Sequence, residues 1–420
     1  MTEQMNVPKL RFFDEPLTNV GFDSIAKIKI GLTHTPKYVA EGRPFLSSKN
    51  ISGGYIDFDD IKYMSEEEFQ TLPKSAKPKV GDILFTRVGS NLGNPIVLED
   101  DIEFGIFVSL GAITVSERCN NHYVKHWMDT QYFWRQVEQK VAGGAKNNLN
   151  SSWLKEFKLK LPLLAEQQKI ASFLSKVDEK ITLLTEKKDK LTEYKKGLMQ
   201  QLFNGKWEEQ DGQLTFVPPT LRFKADDGSE FPDWEEKKLG DVATFSKGKG
   251  ISKADIVEDG ATPCVRYGEL YTTYNEVIEK IKSKTNLPVD ELVLSRANDV
   301  IIPSSGETAL DIATASCIES AGIALSGDLT IIRSKMNGAF LSFQLNTVKK
   351  FELAALAQGA SVIHLYAAHL KSLKVSIPQI EEQTKIVNFL SAIDKKIGLA
   401  NSELEKVKEW KKGLLQQMFV

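Results

Sequence analysis

Two stretches of the chain carry apolar residues at alternating steps of four and three. The first places Ile170, Leu174, Val177, Ile181, Leu184, Leu191, Leu198 and Leu202 on one helical face. The second does the same with Ile386, Leu390, Ile393, Ile397, Ala400, Leu404, Val407, Leu414 and Met418. That period is the seam of a coiled coil. About 37 residues at ~1.5 Å each predict rods of roughly 55 Å. Pro162 and Pro378 stand just before each stripe, where a helix starts more readily than it continues. A single such rod leaves a wet apolar stripe, so each needs a partner. Antiparallel pairing within the chain is the expectation, and a coiled coil between two chains is the alternative.

The two stretches are copies of one another. EQQKIASFLSKVDEKI begins at Glu166 and EQTKIVNFLSAIDKKI at Glu382, about 216 residues later, with no gap across the repeat. A repeat of this length marks two copies of one structural unit. Weaker echoes extend upstream: Leu10-Arg11-Phe12 with Leu221-Arg222-Phe223, Pro44-Phe45-Leu46 with Pro263-Cys264-Val265, and Asp82-Ile83-Leu84 with Asp299-Val300-Ile301. Lys195-Lys196-Gly197-Leu198 returns as Lys411-Lys412-Gly413-Leu414. Glycine inside a helix costs about 1 kcal/mol relative to alanine. Its repetition points either to close approach of another backbone or to a fraying helix end.

The parts between the rods read as mixed α and β, with buried strands near Ile83 and Val300. One helix is expected at about 124–141 and another at about 338–356. The chain thus divides into a first globular domain at 1–163, a helix at 164–206, a second globular domain at 207–379 and a final helix at 380–420.

Composition changes this picture little. The chain has 420 residues, a net charge of −2 and three scattered cysteines, without metal-ligand spacing or a pairing pattern. No apolar run approaches the length of a membrane span, and no signal-peptide core is present. A reducing cytoplasm fits best. The near-neutral charge counts mildly against a nucleic-acid binder, which often carries a basic excess.

Candidate chemistry lies in loops hung on the repeated frame. Thr86, Arg87, Ser90 and Asn91 follow the first buried strand, and Ser304 and Ser305 follow its counterpart. A rigid strand presenting a small polar loop suits phosphates or base edges. Lys49 and Asn50 follow the Pro44 frame, as Arg266 and Tyr267 follow the Pro263 frame. Lys146 and Asn147 follow Gly144-Ala145, as Ser361 follows Gly359-Ala360. Lys247 and Lys249 flank a glycine that suits a DNA backbone or a plain surface turn. Neutral loop drift is the alternative for each. No catalytic constellation emerges. Asn94-Pro95-Ile96 lacks the second proline and aromatic of an adenine-methylating loop, and residues 247–252 lack the spacing of a nucleotide-phosphate loop. His122 and His126 share a helical face without a third ligand, and a solvated face is favoured.

GDILFTRVGSNLG at 81–93, LPLLAEQQKIASFLSKVDEKI at 161–181 and IPQIEEQTKIVNFLSAIDKKI at 377–397 carry a specific likeness. KKGLMQQLF at 195–203 and KKGLLQQMF at 411–419 complete it. The whole layout resembles the specificity subunit of type I restriction-modification systems. The resemblance implies an α+β architecture: two similar mixed α/β target recognition domains separated by two long antiparallel coiled-coil helices, related by a pseudo-two-fold repeat. It implies a non-catalytic reader of a split double-stranded DNA target. Two methyltransferase subunits would use S-adenosylmethionine, and restriction/motor subunits would use ATP and magnesium. This chain itself would need no cofactor or metal, and no membrane. A departure stands out: Ile301-Ile302-Pro303-Ser304 occupies the place of Leu84-Phe85-Thr86-Arg87, so a role for Arg87 does not copy across. A structural adaptor with two domains on a coiled-coil spacer is the alternative reading.

Overall fold

A computed structural model of the chain describes residues 8–52, 54–89, 91–141, 148–210, 213–217, 219, 221–359 and 362–419. Its contacts separate two units, one formed by 1–186 with 400–420 and the other by 187–399. Each unit holds one globular region and parts of both long helices.

In the first unit, a four-stranded antiparallel sheet runs in the order Ala26–Ile30, Leu110–Val115, Ile83–Thr86, Gly93–Val97. Ile83, Leu84, Phe85, Thr86 and Arg87 are all buried, because both faces of this central strand are covered. A two-stranded ladder, Thr18–Gly21 with Lys158–Leu161, then leads into the first long helix. The second unit repeats the scheme. Its sheet runs Ala243–Lys247, Leu329–Ser334, Asp299–Pro303, Ser316–Ile318, Val277–Ile278. The corresponding ladder, Glu235–Lys238 with Lys374–Ile377, leads into the second long helix.

Those helices span Leu164–Phe203 and Ile380–Met418. They run antiparallel and pair within the chain. In the first unit Ile170, Leu174, Val177 and Leu184 share a core with Leu404, Val407, Leu414 and Met418. In the second, Met199 and Leu202 share one with Ile386 and Leu390. Ile181, Leu191 and Ile397 are half-buried on the same seam, and Ile393 is buried. The two-chain coiled coil is not needed to cover the stripe.

The Glu-Gln pair that opens each repeat now has a physical role. Gln167 Nε2 donates to Pro162 O at 2.9 Å while its Oε1 accepts from Asn120 N at 2.9 Å. Gln383 does the same with Pro378 O at 2.8 Å and Asn337 N at 2.8 Å. One amide therefore stitches a helix start to the cap of a neighbouring helix in each unit. The glutamates before them are fully buried and bind Arg11 and Arg222, which lie on the arms that echo one another in sequence.

Three expectations need correction. The helix expected at 124–141 is two, Asn121–Met128 and Gln131–Val141. Thr130 interrupts it, donating to Trp127 O while accepting from Phe133 N, a local bond that competes with helical geometry. The helix expected at 338–356 is likewise Gly338–Asn346 and Lys350–Ala355. Finally, a Cβ added to Gly197 or Gly413 would meet nothing within 4 Å, so neither glycine serves a close approach within the described chain. Helix continues beyond both, to Phe203 and Met418.

Candidate nucleic-acid interface

The loop end of each sheet is built on the same main-chain bonds. Arg87 N donates to Ser109 O at 2.8 Å, and Leu149 N donates to Arg87 O at 2.8 Å. Ser304 repeats both, to Asp328 O at 2.8 Å and from Leu365 N at 3.0 Å. The side chains on this shared frame differ. Arg87 turns inward, its Nε on Leu149 O at 3.2 Å and its Nη1 on Val108 O at 3.0 Å. Burial lowers its guanidinium from the usual arginine value. Ser304 Oγ instead pairs with Thr330 Oγ1 at 2.8 Å.

A second frame position tells the same story. A Cβ on Gly31 would sit 2.2 Å from Phe107 O, and one on Gly248 would sit 2.1 Å from Ser326 O. Only glycine fits either approach. The next residue also donates equivalently: Leu32 N to Ile106 O at 2.8 Å, and Lys249 N to Leu325 O at 2.9 Å. Yet the first unit places Ile30 and Leu32 around its glycine, while the second places Lys247 and Lys249, both exposed.

The remaining candidates divide by burial. Lys49 and Asn91 are exposed. A Cβ on Gly89 would lie 4.0 Å from Ser48 Oγ, which brings the loop after Arg87 alongside the Lys49 turn. Asn50 faces inward and holds that turn together: its Oδ1 accepts from Ser47 N at 3.0 Å and its Nδ2 donates to Asp60 O at 3.1 Å. Thr86 is also buried, in the central strand, and Ser305 pairs in a short ladder opposite His364. Arg266 and Tyr267 are half-buried; Arg266 N donates to Glu269 Oε2 at 2.7 Å. Ser90, Lys146, Asn147 and Ser361 lie outside the described residues. Asn50, Thr86, Arg87, Ser304 and Ser305 thus shape the loops from inside, leaving Lys49, Asn91, Lys247 and Lys249 as the outward-facing cations and amide.

Histidine burial departs from expectation as well. His126 is fully buried, because its helix turns that face onto Ser175 of the central helix; its Nε2 lies 3.4 Å from Ser175 Oγ. His122 is half-buried, 3.4 Å from Glu99.

Sequence reasoning passed over the charged groups that join each globular region to the helix pair. In the first unit Asp178 accepts from Lys125 and Lys411, each at 2.7 Å. In the second, Lys195 donates to Asp394 at 2.7 Å and to Glu276 at 2.8 Å. Asp178 and Asp394 are equivalent in the repeat, as are Lys411 and Lys195, so their recurrence was the available signal. Among the described residues no helix is long and apolar enough to cross a membrane.

Comparison with known proteins agrees with this duplicated architecture. The family model described as the type I restriction modification DNA specificity domain matches twice, at residues 39–193 and 232–409. Among curated relatives is the putative type I restriction enzyme MjaX specificity subunit of Methanocaldococcus jannaschii. It is 26% identical over 404 residues, covering 94% of this chain and 90% of the relative. The MjaVIII specificity subunit of the same organism is 23% identical, covering 90% and 88%. Among solved structures, the type I restriction-modification S subunit of M. genitalium aligns with a TM-score of 0.59 at 16% identity, covering 99% of both chains. Another, from work on complex assembly and conformational transition of the type I restriction-modification system, aligns with a TM-score of 0.53 at 15% identity, covering 96% and 97%. Two copies of the specificity domain on one duplicated frame place this chain in the type I restriction-modification DNA specificity family, as a specificity subunit rather than a catalytic one.

Proposed function

We propose that this chain reads a split double-stranded DNA target, one half with each globular region, and directs adenine methylation by partner subunits. The observation that carries the reading is the pair of shared frames with unlike side chains. Arg87 and Ser304 make the same main-chain bonds, as do Leu32 and Lys249, but offer different chemistry. Divergence confined to side chains on a fixed frame is what two readers of different base sequences require. Lys49, Lys247 and Lys249 supply phosphate contacts that set register, and Asn91 with the half-buried Arg266 and Tyr267 supplies polar groups for base edges. The long helices fix the gap between the halves.

The partner reading rests on a second regularity. Leu183 and Leu399 are 58% and 71% exposed, and Tyr194 and Trp410 are 56% and 50% exposed. Each pair occupies one position of the repeat. Large apolar groups left open twice at equivalent positions fit two copies of one partner. Those partners are two methyltransferase subunits using S-adenosylmethionine, joined in a complete system by restriction/motor subunits using ATP and magnesium. The setting is the cytoplasm, where the DNA lies.

A domain exchange tests the reading. Replacing residues 232–379 with the matching segment of a family member of different specificity should change one half of the methylated target and leave the other. Change in both halves, or in neither, contradicts it.

A further inference from the structure

The Asp–Lys pair between the long helices is the same in both units, yet the two globular regions meet it with different charged groups. In the first unit the region supplies a cation to the aspartate and an anion to the lysine, with Lys411 Nζ 3.5 Å from Asp129. Lys125 reaches Asp178 at 2.7 Å and also Asp129 at 3.3 Å, while Lys411 closes the group from the final helix. In the second unit the region supplies an anion. Glu276 reaches Lys195 at 2.8 Å, opposite Asp394 at 2.7 Å.

The difference has a local cause. The Asn120 and Asn337 caps are equivalent, since both backbone amides donate to the repeated glutamine. Counting from them, Lys125 corresponds to Ser342 and His126 to Phe343. Ser342 is buried and too short to supply a cation to Asp394. Phe343 instead lies under Lys195, with the ammonium 5.1 Å from the ring centroid. With no cation available from that helix, the second unit takes its tie from Glu276, on the segment before Val277–Ile278, and directs it to the lysine of the pair. The side chains of Lys195 and Glu276 are 10% and 17% exposed. Desolvation makes such a group sensitive to loss of one member.

We propose that the interhelical Asp–Lys pair is a common seat, and that Lys125 and Glu276 are positioning residues fixing the orientation of each recognition domain on the helix pair. The seat accepts domains that bring different charged groups because it presents both signs side by side: the first domain answers the aspartate and the lysine, and the second answers the lysine. It thereby lets domains of unlike sequence be carried on one unchanging pair of rods. Resting on the recognition reading above, the seat also restricts the gap between the half-targets, since a domain free to rock would accept more than one spacing.

The test begins without DNA. Spin labels are placed at Lys396→Cys on the final helix and Lys253→Cys on the second domain, both exposed. The native Cys119, Cys264 and Cys317 are buried. The full chain should give one narrow distance distribution, lost on Glu276→Ala and on Glu276→Gln. Lys349→Ala, which removes the Lys349–Glu352 pair of the same domain, should leave it intact. Labels at Lys176→Cys and Lys74→Cys should respond likewise to Lys125→Ala. Distributions unchanged by Glu276→Ala and Lys125→Ala overturn the proposal, since apolar packing alone would then seat the domains. In the assembled methyltransferase, Glu276→Ala should keep the bases of both half-targets and admit gap lengths that the parent rejects. A broadened distribution with an unchanged gap overturns the link to spacing. The label measurement stands apart from any failure of the DNA reading.

Discussion

Arg222 grips Glu382 through two bonds, Nε to Oε1 at 3.1 Å and Nη2 to Oε2 at 2.8 Å, and the carboxylate is wholly buried. Trp234 Nε1 adds a third donor at 3.1 Å. Arg11 and Glu166 form the equivalent pair in the first unit, where Phe12 N takes the place of the indole. Each pair ties the arm that precedes a globular region to the start of the long helix that follows it.

Removing the cation leaves a buried charge uncompensated. Arg222→Ala should therefore destabilise the second unit by about 3–5 kcal/mol. Arg222→Lys should recover only part, because an ammonium lacks the planar fork that matches a carboxylate. Denaturant unfolding of the full chain, followed by circular dichroism, measures both.

Gly197 and Gly413 make the opposite case. Alanine meets nothing at either position, and helix propensity favours it. Gly197→Ala and Gly413→Ala should each stabilise the isolated chain by about 1 kcal/mol. If the open surface receives a partner helix, the same substitutions should weaken assembly with the methyltransferase. Thermal unfolding and a pull-down titration, read together, check the two directions.

Acid should act in opposite senses on the two seats. Burial works to raise the Asp178 carboxyl, but Lys125 and Lys411 outweigh it and hold the group below the usual aspartate range. Its contribution is present above the unfolded value of about 4 and lost as pH falls through the lower folded value. Asp394 is pushed up, first by burial; Lys195 opposes this, and Glu276 and Glu279 add to it. Its contribution is full below the unfolded value and lost as pH rises through the folded one. Asp178→Asn should thus cost more stability than Asp394→Asn at pH 7, and the difference should shrink on acidification towards pH 3. Equal costs at neutral pH would contradict this.

Phosphate contacts carry a salt signature. Lys247→Ala and Lys249→Ala should weaken DNA binding of the assembled complex on all sequences alike. Each should reduce the slope of log affinity against log salt by about 1. A change of target preference would instead assign these lysines to base reading.

The seam was legible in the sequence because its period is mechanical: Leu174 and Leu390 recur at the spacing a helix imposes, and both are fully buried. The duplicated frame was legible for a similar reason, since the Glu-Gln start of each long helix recurs where Gln167 and Gln383 make the same bonds, whereas the Gly31 and Gly248 frame was not. The loop candidates were not. Arg87 and Asn50 look like exposed polar residues by type, but main-chain carbonyls at Leu149, Val108 and Asp60 draw them inward. Nothing in the local sequence announces those distant acceptors. Lys125 and Glu276 escaped notice because they occupy unrelated positions of the repeat while serving equivalent sites.

As a specificity subunit, this chain should supply the target of a DNA-modifying complex. Genome-wide mapping of methylated adenines, with and without the gene, tests it most directly. Without the gene, methylation should be lost at one split motif with two defined halves and a fixed gap. Methylation unchanged at every motif, with the partner methyltransferase present and active, would contradict it.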